Sequence, residues 1–260
     1  MSIVSVDDVR AARALLQGVS RVTPLEGSRA LSDRVGGPVC LKCENLQRAG
    51  SFKIRGAYVR IARLSDEERA RGVVAASAGN HAQGVALAAS LLGCATTVFM
   101  PVAAPLPKIA ATRAYGADVR LHGATLDEAL VEARGFALET GAVLIHPFDH
   151  RDVIAGQGTV GLEVLEQCPD VRTLVVCTGG GGLVAGMAAA VKGIKPDVVV
   201  VGAQAAGAAA FPPSLAAGEP LALPSMATIA DGIAVGRPGD LTFALVQDLV
   251  DRVVTVDDDA

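Results

Sequence analysis

Four consecutive glycines, Gly179-Gly180-Gly181-Gly182, join the apolar run RTLVVCT (172–178) to the small-residue run LVAGMAAAVKGI (183–194). An apolar strand turning into a helix through glycine constrains the chain to sheets whose strands are linked by helical crossovers. The alternation recurs throughout. VCLKCE (39–44), GVVAAS (72–77), ATTVFMP (95–101), ADVRLHG (117–123), AVLIHP (142–147), DVVVVGAQ (197–204) and RVVTVD (252–257) also read as strands. SFKIRGAYVRIARL (51–64), HAQGVALAASLLG (81–93), PKIAATRAYG (107–116), TLDEALVEARGFALETG (125–141), IAGQGTVGLEVLEQC (154–168) and residues 239–250 read as helices. The order predicts an α/β fold of parallel sheets flanked by helices, with ligands at the carboxyl ends of the strands. Residues 205–238, rich in proline and glycine, predict a helix, a loop and surface turns.

Composition supports buried sheets. Half the residues (51%) are hydrophobic, yet aromatics are 3% and Trp is absent. The apolar mass is therefore aliphatic and small, as sheets covered on both faces require. A net charge of −4 and no basic run exclude a nucleic-acid backbone binder. Five cysteines and no apolar N-terminal signal segment predict a cytoplasmic chain with reduced thiols. Cys40 and Cys43 form a lone C-x-x-C, expected to be two buried thiols rather than a zinc site. Residues 73–107 contain no Asp, Glu, Lys or Arg, but Asn80, His81, Gln83 and three prolines interrupt them. A spanning helix needs about 20 uninterrupted apolar residues. The stretch therefore predicts a buried strand, helix and strand, and no membrane partner.

Three features carry possible chemistry. Backbone amides converge unobstructed at the glycine tetrad, and the helix that follows adds partial positive charge, so the turn suits an anion such as phosphate. A tight strand–helix turn is the plainer alternative. No G-K-[ST] follows, which excludes a P-loop. Residues 180–185 also satisfy G-x-G-x-x-A, but the next strand ends at Gln204 rather than an acid, against a nicotinamide dinucleotide. Lys53, in GSFKIRGA, falls in the first turn of a helix with Ser51 as candidate N-cap. The helix field there disfavours a cation and favours the neutral amine of a Schiff-base lysine. Phe52 beside it could pack on a flat ring. SAGNHAQG (77–84) places Asn80 and small residues at a second strand-to-helix turn, suited to a carboxylate. His146 and His150 are separated by Pro147 in no metal-binding spacing, so no metal site is expected. Glu163 and Asp231 read as isolated solvated or capping acids. One amine, two anion cradles and one aromatic ring describe a pyridoxal phosphate (PLP) site.

ENLQRAGSFKIRGAY, SAGNHAQGVALAA, HPFDHRDVIAGQGTVGLEV and TGGGGLVAG together resemble the threonine/serine dehydratases. These are fold-type II PLP enzymes, tryptophan synthase β-like in architecture. Gly50-Ser51 before Phe52-Lys53 makes the chain more similar to the catabolic form than to the long biosynthetic one. The resemblance implies a larger PLP-binding domain (residues 1–68 and 149–260) with a smaller α/β domain (69–148) inserted, and a site in the cleft between them. It implies that Lys53 holds the cofactor and moves the Cα proton, and that Phe52 lies against the pyridine ring. Asn80 would bond the ring hydroxyl. Ser77, Ala78, Gly79, Asn80 and His81 would take the substrate carboxylate, and Gly179, Gly180, Gly181, Gly182 and Leu183 the phosphate. The activity implied is α,β-elimination from L-threonine or L-serine, giving 2-oxobutanoate or pyruvate plus ammonia. The implied assembly is a homo-oligomer. Serine racemase and hydroxyaspartate dehydratase are the alternatives; racemases of this type carry a second serine where this chain has Ala78. A cation site of the racemase kind is not expected, since Gln204 is no carboxylate. Similar chains continue beyond RVVTVDDDA with an S-G-G-N motif facing the pyridine nitrogen. The resemblance therefore implies C-terminal truncation, with a chain that binds PLP without turnover as a further alternative.

Overall fold

The structure, a computed structural model, describes residues 3–260. The chain opens on α1 (Val6–Leu15), where Ser5 and Asp8 form a reciprocal capping box. β1 (Leu25–Gly27), α2 (Arg29–Val35) and β2 (Cys40–Lys42) follow. β1 and β2 pair antiparallel, an exception to the expected parallel pattern. This ribbon has only two strands and buries neither face. Cys40 is consequently exposed and Cys43 half-buried, so the expectation of two buried thiols was wrong.

The first parallel sheet spans residues 73–144. α3 (Lys53–Ala62) and α4 (Asp66–Arg71) lead into β3 (Val73–Ala76). Then α5 (Asn80–Leu91), β4 (Thr96–Met100), α6 (Leu106–Ala114), β5 (Asp118–Leu121), α7 (Leu126–Thr140) and β6 (Val143–Leu144) alternate. The strand order is β5-β4-β3-β6, all parallel. β3 is buried at every residue because both faces are covered. Val73 and Ala75 pack with α3 and α5, whereas Val74 and Ala76 pack with α7, the two-residue period of a strand. The uncharged stretch 73–107 thus resolves into β3, α5 and β4 as expected. No helix of the described residues is long and apolar enough to cross a membrane.

The second parallel sheet has the order β7-β8-β9. α8 (Arg151–Gln167) precedes β7 (Thr173–Cys177), and α9 (Gly182–Lys192) leads to β8 (Val199–Ala205). α10 (Phe211–Ala217) and α11 (Asp240–Leu249) precede β9 (Arg252–Val256). α8 starts three residues earlier than the apolar pattern suggests, because the His150 side chain accepts from Asp152 N and caps it.

Glycines set how closely α3, α8 and α9 cross. A Cβ on Gly156 would stand 2.6 Å from Gly56 Cα, and one on Gly158 2.6 Å from Gly186 O. Backbone contact between these helices therefore requires glycine. α8 is the middle of the three and is buried without interruption from Val153 to Leu165. It fixes the start of α3, which carries Lys53, relative to the start of α9, which carries the glycine tetrad.

A buried ion network reinforces this contact. Arg55 of α3, fully buried, bonds Glu163 of α8 at 2.6 Å and Glu44 at 2.8 Å. Lys42 Nζ lies 2.6 Å from the other Glu163 oxygen. Burial alone would pull the Arg55 guanidinium down, but the bonds from Glu44 and Glu163 outweigh it and hold it above its ordinary value. Glu163 is therefore neither solvated nor capping; the pattern of α8 alone could not show the cations on α3 and β2. Asp231 remains exposed and pairs with Lys108 at 3.1 Å.

Candidate active site

Lys53 begins α3 at the edge of the core. Phe52, not Ser51, takes the N-cap position, although Ser51 Oγ stays 3.4 Å from Lys53 N. α5 crosses close to this turn: a Cβ on Gly84 would lie 3.0 Å from Lys53 Cβ. The amine turns inward, donates to the Pro147 carbonyl oxygen at 2.8 Å, and sits 5.3 Å from the Phe52 ring centroid. Burial pushes its pKa down to about 8, weakly opposed by the nearby Cys177. About a tenth of the amine is then neutral at pH 7, against well under a hundredth for a free lysine.

The glycine tetrad faces this amine across the same cavity. β7 ends at Cys177, Gly181 adopts the left-handed region at φ +98°, and α9 begins at Gly182. The amide N–H groups of residues 179–183 find no acceptor among the described residues. Buried donors without partners are rare, and converging ones at a helix start demand an anion or water. Side chains cannot fill the turn instead. A Cβ on Gly180 would run into the Phe148 ring, one on Gly182 would lie 2.8 Å from Phe148 Cβ, and one on Gly181 2.7 Å from Phe211 Cζ. A free-amide cradle with a deprotonatable amine beside it fits the phosphate and the aldehyde carbon of PLP.

Phe52, Lys53 and the run Gly179, Gly180, Gly181, Gly182 and Leu183 all line one cavity. The second expected group does not line it. Ser77, Ala78 and Gly79 are half-buried in the turn after β3, Asn80 is exposed at the start of α5, and His81 is buried beneath it. His81 Nε2 donates to Ile145 O at 2.8 Å. Burial, with the Lys53 charge nearby, holds this imidazole down to about 3, so it is neutral. The turn borders the site through Lys108. A Cβ on Gly79 would lie 3.9 Å from Lys108 Nζ, whose partner Asp231 precedes the cavity-lining Gly232 and Ile233.

Phe148, Cys177, Thr178 and Val235 also line the cavity and were not singled out from sequence. Phe148 lies within HPFDH, a motif that carried the resemblance, which was the available signal. Its loop is held by His146, whose Nδ1 accepts from Asp149 N at 2.8 Å and whose ring meets the Phe148 ring edge-on at 4.7 Å. Nδ1 being an acceptor puts the proton of the neutral ring on Nε2. Burial keeps His146 below its ordinary pKa. No group of three or more metal-ligating side chains occurs among the described residues.

Known proteins share this fold. The family model described as "Pyridoxal-phosphate dependent enzyme" matches residues 16–260. An L-threonine ammonia-lyase of Thermotoga maritima is 51% identical over 257 residues, covering 99% of this chain and 64% of that protein. The chain thus spans somewhat less than two thirds of that relative. Among solved structures, the processed threonine deaminase isoform 2 of Solanum lycopersicum superposes with TM-score 0.94 at 44% identity, covering 97% of this chain and 69% of that one. Maize serine racemase superposes with TM-score 0.95 at 42% identity, covering 98% and 78%. The family match, the free-amide cradle and the inward-turned lysine agree, and the chain belongs to the pyridoxal-phosphate dependent enzymes of fold type II.

Proposed function

We propose that this chain is a PLP-dependent L-threonine/L-serine ammonia-lyase, releasing 2-oxobutanoate or pyruvate with ammonia. The observation that carries the reading is Lys53: a half-buried lysine whose amine, turned inward, is held down to about 8 and faces free amides across one cavity. PLP, when bound, supplies an electron sink that makes the Cα–H of an attached amino acid acidic. Lys53 would hold the cofactor and, once released, take the Cα proton on Nζ; its lowered pKa suits a base near neutrality. The amides of residues 179–183 would bind the phosphate, and the Phe52 ring would flank the pyridine. The turn Ser77–His81 would receive the substrate carboxylate at the start of α5, with Asn80 turning inward on binding. The two segments 1–68 and 149–260 would act as one domain and 69–148 as the other, closing on the substrate.

Serine racemase is the second reading, favoured by the maize structure. Ala78 speaks against it. Its methyl group packs against the cluster of Ala82, Val98 and Met100. A methyl offers no proton for the face opposite Lys53, so elimination is favoured over inversion. Five free cysteines support a reducing, cytoplasmic setting. The uncovered face of β7, with Val175 68% exposed, supports association into a homo-oligomer.

The test is turnover. The purified chain with PLP and L-threonine should form 2-oxobutanoate, the Lys53→Ala variant none, and L-serine should give pyruvate with no D-serine. D-serine without keto acid would favour the racemase, and bound PLP without any product would overturn the lyase.

A further inference from the structure

The glycine turn is held from behind at two carbonyl oxygens. Thr242 Oγ1 donates to Gly180 O at 2.6 Å, and Gln204 Nε2 to Gly179 O at 3.4 Å. Both side chains are buried, at 0% and 1% exposure. Neither comes from the turn: Thr242 lies in the first turn of α11 and Gln204 near the end of β8. In a trans peptide the N–H points opposite to the C=O of the same unit. Fixing Gly179 O therefore aims the Gly180 amide the other way, and fixing Gly180 O does the same for the Gly181 amide. These are two of the amides left without an acceptor. Glycine has the widest backbone freedom of any residue, so a run of four would not hold that orientation unaided.

Both anchors are themselves anchored. Gln204 Oε1 accepts from Phe211 N at 2.9 Å, which fixes its amide with Nε2 toward Gly179. The Asp149 carboxylate accepts from Asp240 N, Leu241 N and Thr242 N at 3.0, 2.9 and 3.1 Å. It thereby caps α11 from more than ninety positions away and ties it to the Phe148 loop. We propose that Thr242 and Gln204 are positioning residues for phosphate binding: by seizing the Gly180 and Gly179 carbonyls they pre-aim the tetrad amides into the cavity, with Asp149 holding Thr242 in place. This rests on the PLP reading of the cavity.

Binding of PLP and of pyridoxal, its phosphate-free analogue, separates this role from a general structural one. Dissociation constants for both, and for inorganic phosphate as competitor, should be measured by absorbance titration on the wild-type chain, Thr242→Val and Thr242→Ser, with thermal midpoints alongside. Thr242→Val should weaken PLP about tenfold and inorganic phosphate in parallel, the effect expected when one oriented charge-assisted bond is lost. Pyridoxal should change by less than about twofold on the same scale, and Thr242→Ser should restore PLP. Equal weakening of PLP and pyridoxal, or no change in either, overturns the inference while leaving the PLP reading intact. A wild-type chain that binds neither overturns both. Should Thr242→Val not fold, Gln204→Met releases the other carbonyl, and the same selective loss of PLP is required of it.

Discussion

Lys53 Nζ rests 2.8 Å from the carbonyl oxygen of Pro147, the residue before the Phe148 whose ring covers Gly180. One short loop therefore receives the amine on its backbone and walls the anion cradle with its side chain. The distance between the amine and the glycine turn is set by that loop and by the α3–α8–α9 glycine crossings. The amine has a carbonyl partner and is depressed mainly by burial.

This gives a pH signature. The unfolded chain holds the Lys53 proton up to about 10.5 and the folded chain only to about 8. Between these values the unfolded state binds more protons, so wild-type stability rises with pH across that window. Lys53→Met should be more stable than wild type below about pH 8, by up to about 3 kcal/mol, with the advantage vanishing toward pH 10.5. Urea denaturation at pH 7 and pH 10 checks this; an advantage that grows with pH contradicts it.

Two glycine substitutions should separate binding from stability. Gly180→Ala drives a Cβ into the Phe148 ring, within the cavity and away from the helix crossings. It should weaken PLP by about tenfold or more, with a small change in thermal midpoint. A Cβ on Gly186 would lie 2.7 Å from Gly158 N, backbone that cannot yield. Gly186→Ala should destabilise the chain by about 2–4 kcal/mol. Titration and calorimetry of both variants read the contrast.

Glu163 is acceptor to two cations at once, the buried Arg55 and the half-buried Lys42. Removing its charge leaves both poorly compensated. Glu163→Gln should cost about 3 kcal/mol in urea denaturation. A loss below about 0.5 kcal/mol, the size of an ordinary surface change, would show that the pairs contribute nothing net.

His81 should limit acid stability. Its folded pKa is down to about 3 while the unfolded value is about 6.5. The unfolded state binds the proton first as pH falls, so stability is full above about 6.5 and drains away toward 3. His81→Gln should flatten stability between pH 6.5 and 4, measured by thermal midpoints. An unchanged slope would assign the acid sensitivity to other groups.

The strand–helix alternation was legible most plainly at β3, β4 and β8, which are covered on both faces and read as uninterrupted apolar runs. β1 was not, since a short exposed strand has no such pattern; β2 was read as a strand, but its antiparallel pairing with β1 was not. Lys53 and the tetrad were legible through local chemistry: a lysine at a helix start, and more glycines than a turn needs. Glu163 was misjudged because its partners, Arg55 and Lys42, lie more than a hundred positions away. Thr242 had no local signal, and Asp149 only its place in HPFDH; each acts on backbone that only the tertiary fold brings near. Asn80 stands outside the cavity lining, so its expected role depends on a movement of the turn after β3.

Covalent capture is the most direct measurement. The chain saturated with PLP should be reduced with borohydride, digested, and mapped by mass spectrometry. A single phosphopyridoxyl group on Lys53 is the expected result. A group on Lys42 or Lys108 instead, or none on a folded chain, contradicts the assignment of Lys53 as the cofactor-holding amine.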